Sequence, residues 1–185
     1  MENKLSGKTV AILLADGFEQ SEFEKPLEAL KEEGATTDII SLKKGTVRAW
    51  NEKNWGDEFE ATVAIEDADS GKYDALVLPG GVMNPDKLRA NKDVVAFVKD
   101  FMEDEKPIAA ICHGPWTLIE TGMLKGRRMT SYHSIKTDLV NAGVNWVDEE
   151  VVVDDGMVTS RSPKDLPAFC KKMVEEIAEG VHTGR

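Results

Sequence analysis

The chain has 185 residues and 20.4 kDa, 41% hydrophobic and 31% charged, enough to bury the core of one globular domain over 1–185, ordered from about 7 to 180. A net charge of -11 and a pI near 4.8 argue against a nucleic-acid surface or an anionic-membrane surface, both of which call for basic patches. No apolar run reaches membrane-span length and MENKLSGKTV lacks the apolar core of a signal peptide, so the expected location is the cytoplasm. Cys112 and Cys170 lie in unlike contexts without metal-ligand spacing, so neither a disulfide framework, a metal site nor a cofactor is expected.

Thr9 to Ala15, TVAILLA, is a continuous apolar run bounded by Gly7 and Asp16-Gly17, and predicts a first buried strand. Phe23, Leu27 and Leu30 recur at helical spacing between Glu19 and Glu33, with Gly34 as a stop. Ala35 to Leu42 then predicts a second strand and completes a β-α-β unit. Between Lys43 and Asp69 scattered Trp50, Trp55 and Phe59 precede an alternating stretch, Glu60 to Glu66, which predicts an antiparallel excursion beside the main sheet. Tryptophans there mark either a subunit contact or cover over the domain's own edge.

Tyr73 to Leu78 predicts another central strand, running into Pro79-Gly80-Gly81. Paired glycines at a strand's carboxyl end expose amides suited to an oxyanion, although a plain tight turn has the same sequence. Asp86 to Glu103 predicts one helix with a broad apolar face of Val94, Val95, Phe97, Val98, Phe101 and Met102. Later come a short strand in Gly126 to Ser131, a short helix from Ser134 to Asn141, strands in Val144 to Val147 and Glu150 to Val153, and a hairpin partner at Met157 to Ser160. Pro167 to Glu179 predicts a closing amphipathic helix that carries Cys170 as a structural residue, and GVHTGR, with His182, predicts a frayed end.

The chemistry centres on KPIAAICHGPWTLIE, Lys106 to Glu120. Pro107 to Ile111 reads as a buried strand and Pro115 as the first position of a helix, which puts Cys112 at a strand-to-helix turn flanked by Ala110 and Gly114. Small neighbours let one side chain protrude from a sharp turn, the logic of a nucleophile elbow. A helix N-terminus is expected to favour the thiolate, and the His113 N–H to point where an oxyanion forms. The sequence allows two readings of such a cysteine, a reactive nucleophile or a small buried hydrophobe, and the adjacent His113 and following Gly-Pro favour the first.

Together GFEQSE (Gly17 to Glu22), LPGG (Leu78 to Gly81), AICHGP (Ala110 to Pro115), LKGRRMTSY (Leu124 to Tyr132), VNAGVNW (Val140 to Trp146) and VTSRSPKDL (Val158 to Leu166) resemble the PfpI intracellular protease family over most of the chain. That family is part of the superfamily of the Parkinson-disease-associated deglycase and is related to class I glutamine amidotransferases. The resemblance implies an α/β, flavodoxin-like three-layer sandwich with a mostly parallel sheet, assembled as homodimers or higher oligomers. It also implies Cys112 as nucleophile, His113 as its base, and oxyanion or substrate contacts from Gly80, Gly81 and Tyr132. Glu22 matches the glutamate that hydrogen-bonds the cysteine sulfur. The third triad member, an acid supplied by a neighbouring subunit after PGG, is best matched by Asp86, in a loop one residue longer and with Asp in place of Glu. Tyr132 stands where deglycase relatives carry histidine, which places the chain nearer the PfpI branch. His133 is either a second acid/base group or a solvent-facing loop histidine, and Arg161 either binds an acidic substrate group or pairs with a carboxylate.

The expected function is a cysteine-dependent stress-response enzyme. Its substrates are amides or peptides, or reactive carbonyl compounds in glutathione-independent glyoxalase or deglycase chemistry. The alternative is a non-enzymatic redox-sensing stress protein or chaperone that uses an exposed, oxidisable Cys112.

Overall fold

A computed structural model describes residues 3–181, so the expectation for His182 lies outside the described residues. The elements are β1 (Thr9–Leu13), α1 (Gln20–Glu32), β2 (Thr36–Ser41), β3 (Gly45–Asn51), β4 (Asn54–Ala61), β5 (Val63–Ala64), β6 (Ala75–Leu78), α2 (Met83–Arg89), α3 (Lys92–Glu103) and β7 (Ile108–Ile111). After them come α4 (Pro115–Ile119), β8 (Arg128–Met129), α5 (Lys136–Asn141), β9 (Asn145–Trp146), β10 (Val152–Asp154), β11 (Met157–Ser160) and α6 (Leu166–Glu179). The main sheet runs β10-β11-β7-β6-β1-β2-β5, and every pairing is parallel except β10 with β11.

Strand alternation divides the core into two layers. Ala11 and Leu13 of β1, with Leu76 and Leu78 of β6, face a cluster with Val94, Phe97 and Phe101 of α3 and Leu118 of α4. Val10 and Ile12, with Ala75 and Val77, face the other side, against Phe23 and Leu30 of α1 and Phe169, Met173 and Ile177 of α6. Central strands buried on both faces are why TVAIL, ALVL and IAAI read as unbroken apolar runs. The result is the expected three-layer α/β sandwich with a mostly parallel sheet. Among the described residues no helix is long and apolar enough to cross a membrane.

Two expectations change in detail. The helix expected from Asp86 to Glu103 is two helices, because Asn91 leaves the helical conformation and its side chain accepts the Asp93 and Val94 N–H groups at 2.9 and 3.1 Å, capping α3. The excursion is a two-stranded hairpin, β3 with β4, but the second half of the alternating stretch returns as β5, parallel to β2 at the edge of the main sheet. The short strands β8 and β9 pair with each other in parallel, apart from the main sheet.

Candidate active site

The segments following β1, β6 and β7 meet at the carboxyl ends of three adjacent strands, where open α/β sheets collect ligands. Cys112, first residue after β7, has φ +62°, a left-handed conformation unusual for a residue with a side chain. Its N–H donates to Ser160 O at 3.0 Å, its carbonyl accepts the Tyr132 N–H at 2.9 Å, and the Gly114 N–H closes the turn on Ile111 O at 2.9 Å. A Cβ on Gly114 would lie 2.6 Å from Leu78 O and 2.9 Å from Ile111 O, so only glycine lets the turn pack against β6. The nucleophile elbow read from A-x-C-x-G is present, with Cys112 on it.

Burial reverses one expectation for the thiol. Cys112 is only 7% exposed, and burial pushes its pKa up, away from the thiolate, while the Gly81 and His113 N–H groups pull the other way. The helix expected to lower it, α4, has five residues, and the Gly114, Trp116 and Thr117 N–H groups are bonded inside the turn and the helix start. Desolvation therefore outweighs the dipole.

Glu22, in the first turn of α1, is fully buried. Its Oε1 accepts the Gly80 N–H at 3.1 Å, whereas Oε2 has no hydrogen-bond partner among the described residues. Burial first, then the charge of Glu19, raises this carboxyl to about 8, so at neutral pH it is a protonated acid beside the sulfur. A Cβ on Gly80 would approach Glu22 Oε1 to 2.5 Å and Cys112 Cβ to 2.6 Å, which explains a glycine between acid and thiol. The expected role of Gly80 as an oxyanion donor is corrected: its N–H is committed to Glu22, and the amides acting on the sulfur are those of Gly81 and His113.

His113 Nδ1 lies 3.2 Å from Cys112 Sγ, and Nε2 lies 3.3 Å from Ser134 Oγ. The ring stacks on Tyr132 at 4.7 Å and meets Trp116 edge-on at 5.1 Å. Burial, and secondarily the charge of His133, lowers its pKa to about 4, so it is neutral near pH 7. An imidazole accepting the thiol proton at Nδ1 carries its own proton on Nε2, which then donates to Ser134.

Asp86 sits exposed on α2 and is not among the residues lining the cavity over Cys112. Arg161 is held by Asp165, to which Nε and Nη2 donate at 2.9 and 3.0 Å, and by Asp148 at 2.9 Å. It takes the carboxylate-pairing role and lines a separate cavity with Tyr132 and His133. His133 is exposed.

The cavity over Cys112 has a volume of about 580 Å³ and is lined by Cys112, His113, Glu22, Gly81 and Tyr132 together with residues that the sequence did not place at the site. Ser134 was unmarked because nothing local identifies the partner of a distant ring. Trp50 and Glu52 come from the hairpin, where the tryptophan is part of the cavity wall. Asn84, fully buried, accepts the Ala15 N–H at 2.7 Å and donates to Pro79 O and Gly80 O at 3.0 Å each, binding the loops after β1 and β6 together.

With this geometry in hand, comparison with known proteins identifies its relatives. A model described as the DJ-1/PfpI family matches residues 8–176. General stress protein 18 of Bacillus subtilis is 47% identical over 165 residues, covering 88% of this chain and 94% of that protein. The deglycase PfpI of Pyrococcus furiosus is 40% identical over 166 residues, covering 90% and 97%. Among solved structures, DJ-1beta of Drosophila melanogaster superposes with a TM-score of 0.84 at 30% identity, covering 94% of this chain and 91% of that one. A two-domain protein from Anabaena variabilis, with dj-1/thij/pfpi-like and ferritin-like domains, gives a TM-score of 0.86 at 36% identity and covers 92% of this chain, which spans 48% of that longer protein.

Proposed function

Because the chain belongs to the DJ-1/PfpI family, we propose that it is a cysteine-dependent enzyme acting on small reactive carbonyl compounds, converting an α-ketoaldehyde to the 2-hydroxy acid without glutathione, or releasing that acid from an early adduct on an amine. The observation that carries this reading is the fully buried Glu22 carboxyl, which burial keeps in its neutral form, beside Cys112 on the wall of the same cavity. Amide hydrolysis by a cysteine needs a base oriented by a third group and an acid for the leaving amine. Here the partner of His113 Nε2 is the neutral Ser134 hydroxyl. An uncharged acid, an uncharged base and a thiol suit carbonyl addition and proton transfer between adjacent carbons.

In this mechanism His113 Nδ1 takes the thiol proton as Sγ bonds to the aldehyde carbon, and the carbonyl oxygen, held by the Gly81 and His113 N–H groups, takes that proton to give a hemithioacetal. Neutral His113 then removes the hydrogen from the sulfur-bearing carbon, and Glu22 hydrogen-bonds the developing enediol. Glu22 gives its proton to the neighbouring carbonyl oxygen and recovers one from the hydroxyl on the sulfur-bearing carbon, while His113 returns its proton to the neighbouring carbon, which leaves a thioester. One water breaks the C–S bond, giving the hydroxy acid and the free thiol, so one water is consumed per turnover and nothing is oxidised overall.

The test is lactate formation from methylglyoxal without added thiol, beside cleavage of a fluorogenic peptide, for the native chain and Cys112→Ala. Cysteine-dependent lactate with a silent peptide supports the proposal. Cysteine-dependent peptide cleavage with no lactate overturns it in favour of a peptidase. If both are silent and peroxide-treated protein gains a property, the redox-sensor reading takes its place, although a 7% exposed thiol pushed away from ionisation is poorly suited to sensing.

A further inference from the structure

We infer that Glu19, Glu52 and Trp50 form a subsite for an organic cation beside Cys112, so that the favoured substrates of this cavity carry an ammonium or guanidinium group near the reacting carbonyl. The substrate statement rests on the proposed carbonyl chemistry; the subsite itself does not.

Three of the residues lining the cavity are glutamates, Glu19, Glu22 and Glu52, and none is a lysine or arginine. Among the described residues neither Glu19 nor Glu52 forms an ion pair with a basic side chain. Burial and the neighbouring charge of Glu52 both raise the pKa of Glu19, so two carboxylates crowd one wall without a counter-charge. Glu22 Oε2 adds a fully buried oxygen with no partner on the same cavity. An entering cation relieves the charges of Glu19 and Glu52 and can hydrogen-bond the neutral Glu22, whereas an anion meets the two charges as repulsion.

The corner is also built. Glu52, at the tip of the β3–β4 hairpin, has φ +56°, where glycine or asparagine is less strained. Both its backbone groups are tied down: its N–H donates to Glu19 Oε1 at 3.1 Å and its carbonyl accepts the Trp50 Nε1–H at 3.0 Å. Trp50 is joined to Glu19 by a backbone bridge, so the indole and the two glutamates form one braced unit on the wall of the cavity that holds Cys112. An aromatic wall with carboxylates is how proteins hold ammonium and guanidinium groups. Among the described residues no three His, Cys, Asp or Glu side chains are grouped to hold a metal ion.

The experiment uses charged thiol reagents, because they report on the subsite whether or not the protein turns over a carbonyl. The rate of Cys112 modification, followed by mass spectrometry in a Cys170→Ser background, is measured for the methanethiosulfonates bearing trimethylammonioethyl, methyl and sulfonatoethyl groups. Each rate is normalised to that of 2-mercaptoethanol. The expected order is cation, then neutral, then anion, with a cation-to-anion ratio of about tenfold or more at low salt. In Glu19→Gln/Glu52→Gln the ratio falls to within about threefold, and in the native chain n-butylguanidinium, but not n-butanesulfonate, slows the neutral reagent. A ratio near one overturns the subsite. A ratio that survives the double substitution also overturns it, because the preference then comes from the net charge of -11. Charge selection without methylglyoxal turnover leaves the subsite standing and removes the carbonyl chemistry; turnover without charge selection does the reverse.

Discussion

Cys112 Sγ lies 3.2 Å from His113 Nδ1, and burial holds both partners in their uncharged forms, the thiol pushed up and the imidazole down to about 4. A thiolate–imidazolium pair, by contrast, gives a cysteine that reacts at a constant rate well below neutrality. The rate of Cys112 alkylation by iodoacetamide, read in Cys170→Ser, is therefore expected to climb steadily from pH 6 to pH 8, by up to about tenfold per unit, without an acidic plateau. A plateau below pH 7 would show that the pair is charged at rest. His113→Ala, which removes the base without filling its space, is expected to lower turnover by about 10²- to 10⁴-fold.

Glu22 makes stability depend on pH in an unusual direction. Its folded pKa of about 8 lies above the ordinary carboxylate value of 4.5, so between those values the folded chain holds a proton that the unfolded chain has released. This contribution is fully present below about pH 4.5 and is lost as pH rises through about 8. Thermal melts of the native chain against Glu22→Gln, which stays neutral, are the measurement. The difference between the two is expected to move in favour of Gln from pH 5 to pH 9, by an amount on the order of a few kcal/mol. Parallel curves would mean that Glu22 is ionised throughout, and the acid role assigned to it would fall.

How much of this site the sequence displays depends on whether the signal is local. The elbow is legible because Ala110, Cys112 and Gly114 are consecutive in one turn, and the close approach to Leu78 O that requires Gly114 leaves a glycine to be read. The parallel sheet is legible because strands buried on both faces have unbroken apolar runs. The break between α2 and α3 had a signal as well, since Asn91 precedes an apolar periodic run as an N-cap does. Ionisation was not legible. A helix start after a cysteine argues for a thiolate, but the burial that outweighs it is contributed by distant segments such as the one carrying Glu22. Ser134, Trp50 and Glu52 belong to the site only through tertiary folding, and no spacing links them to Cys112.

Asn84 illustrates the same point with a residue whose removal is expected to be costly. Its side chain joins Ala15 N–H to Pro79 O and Gly80 O, fixing the loop whose Gly80 N–H binds Glu22 and whose Gly81 N–H acts on the Cys112 sulfur. Asn84→Ala leaves those buried groups unpartnered, and a loss of about 2–4 kcal/mol in urea unfolding is expected, along with most of the activity. Asn84→Asp discriminates between lost hydrogen bonds and lost volume. Ionised, it turns an oxygen toward two carbonyl oxygens; protonated, it recovers one donor. Burial and those carbonyls raise its folded pKa, so its stability relative to the native chain is expected to be greater at pH 5 than at pH 8. If the Asp variant matches the native urea midpoint at pH 8, Asn84 acts by filling space alone, and the loop is held by something else.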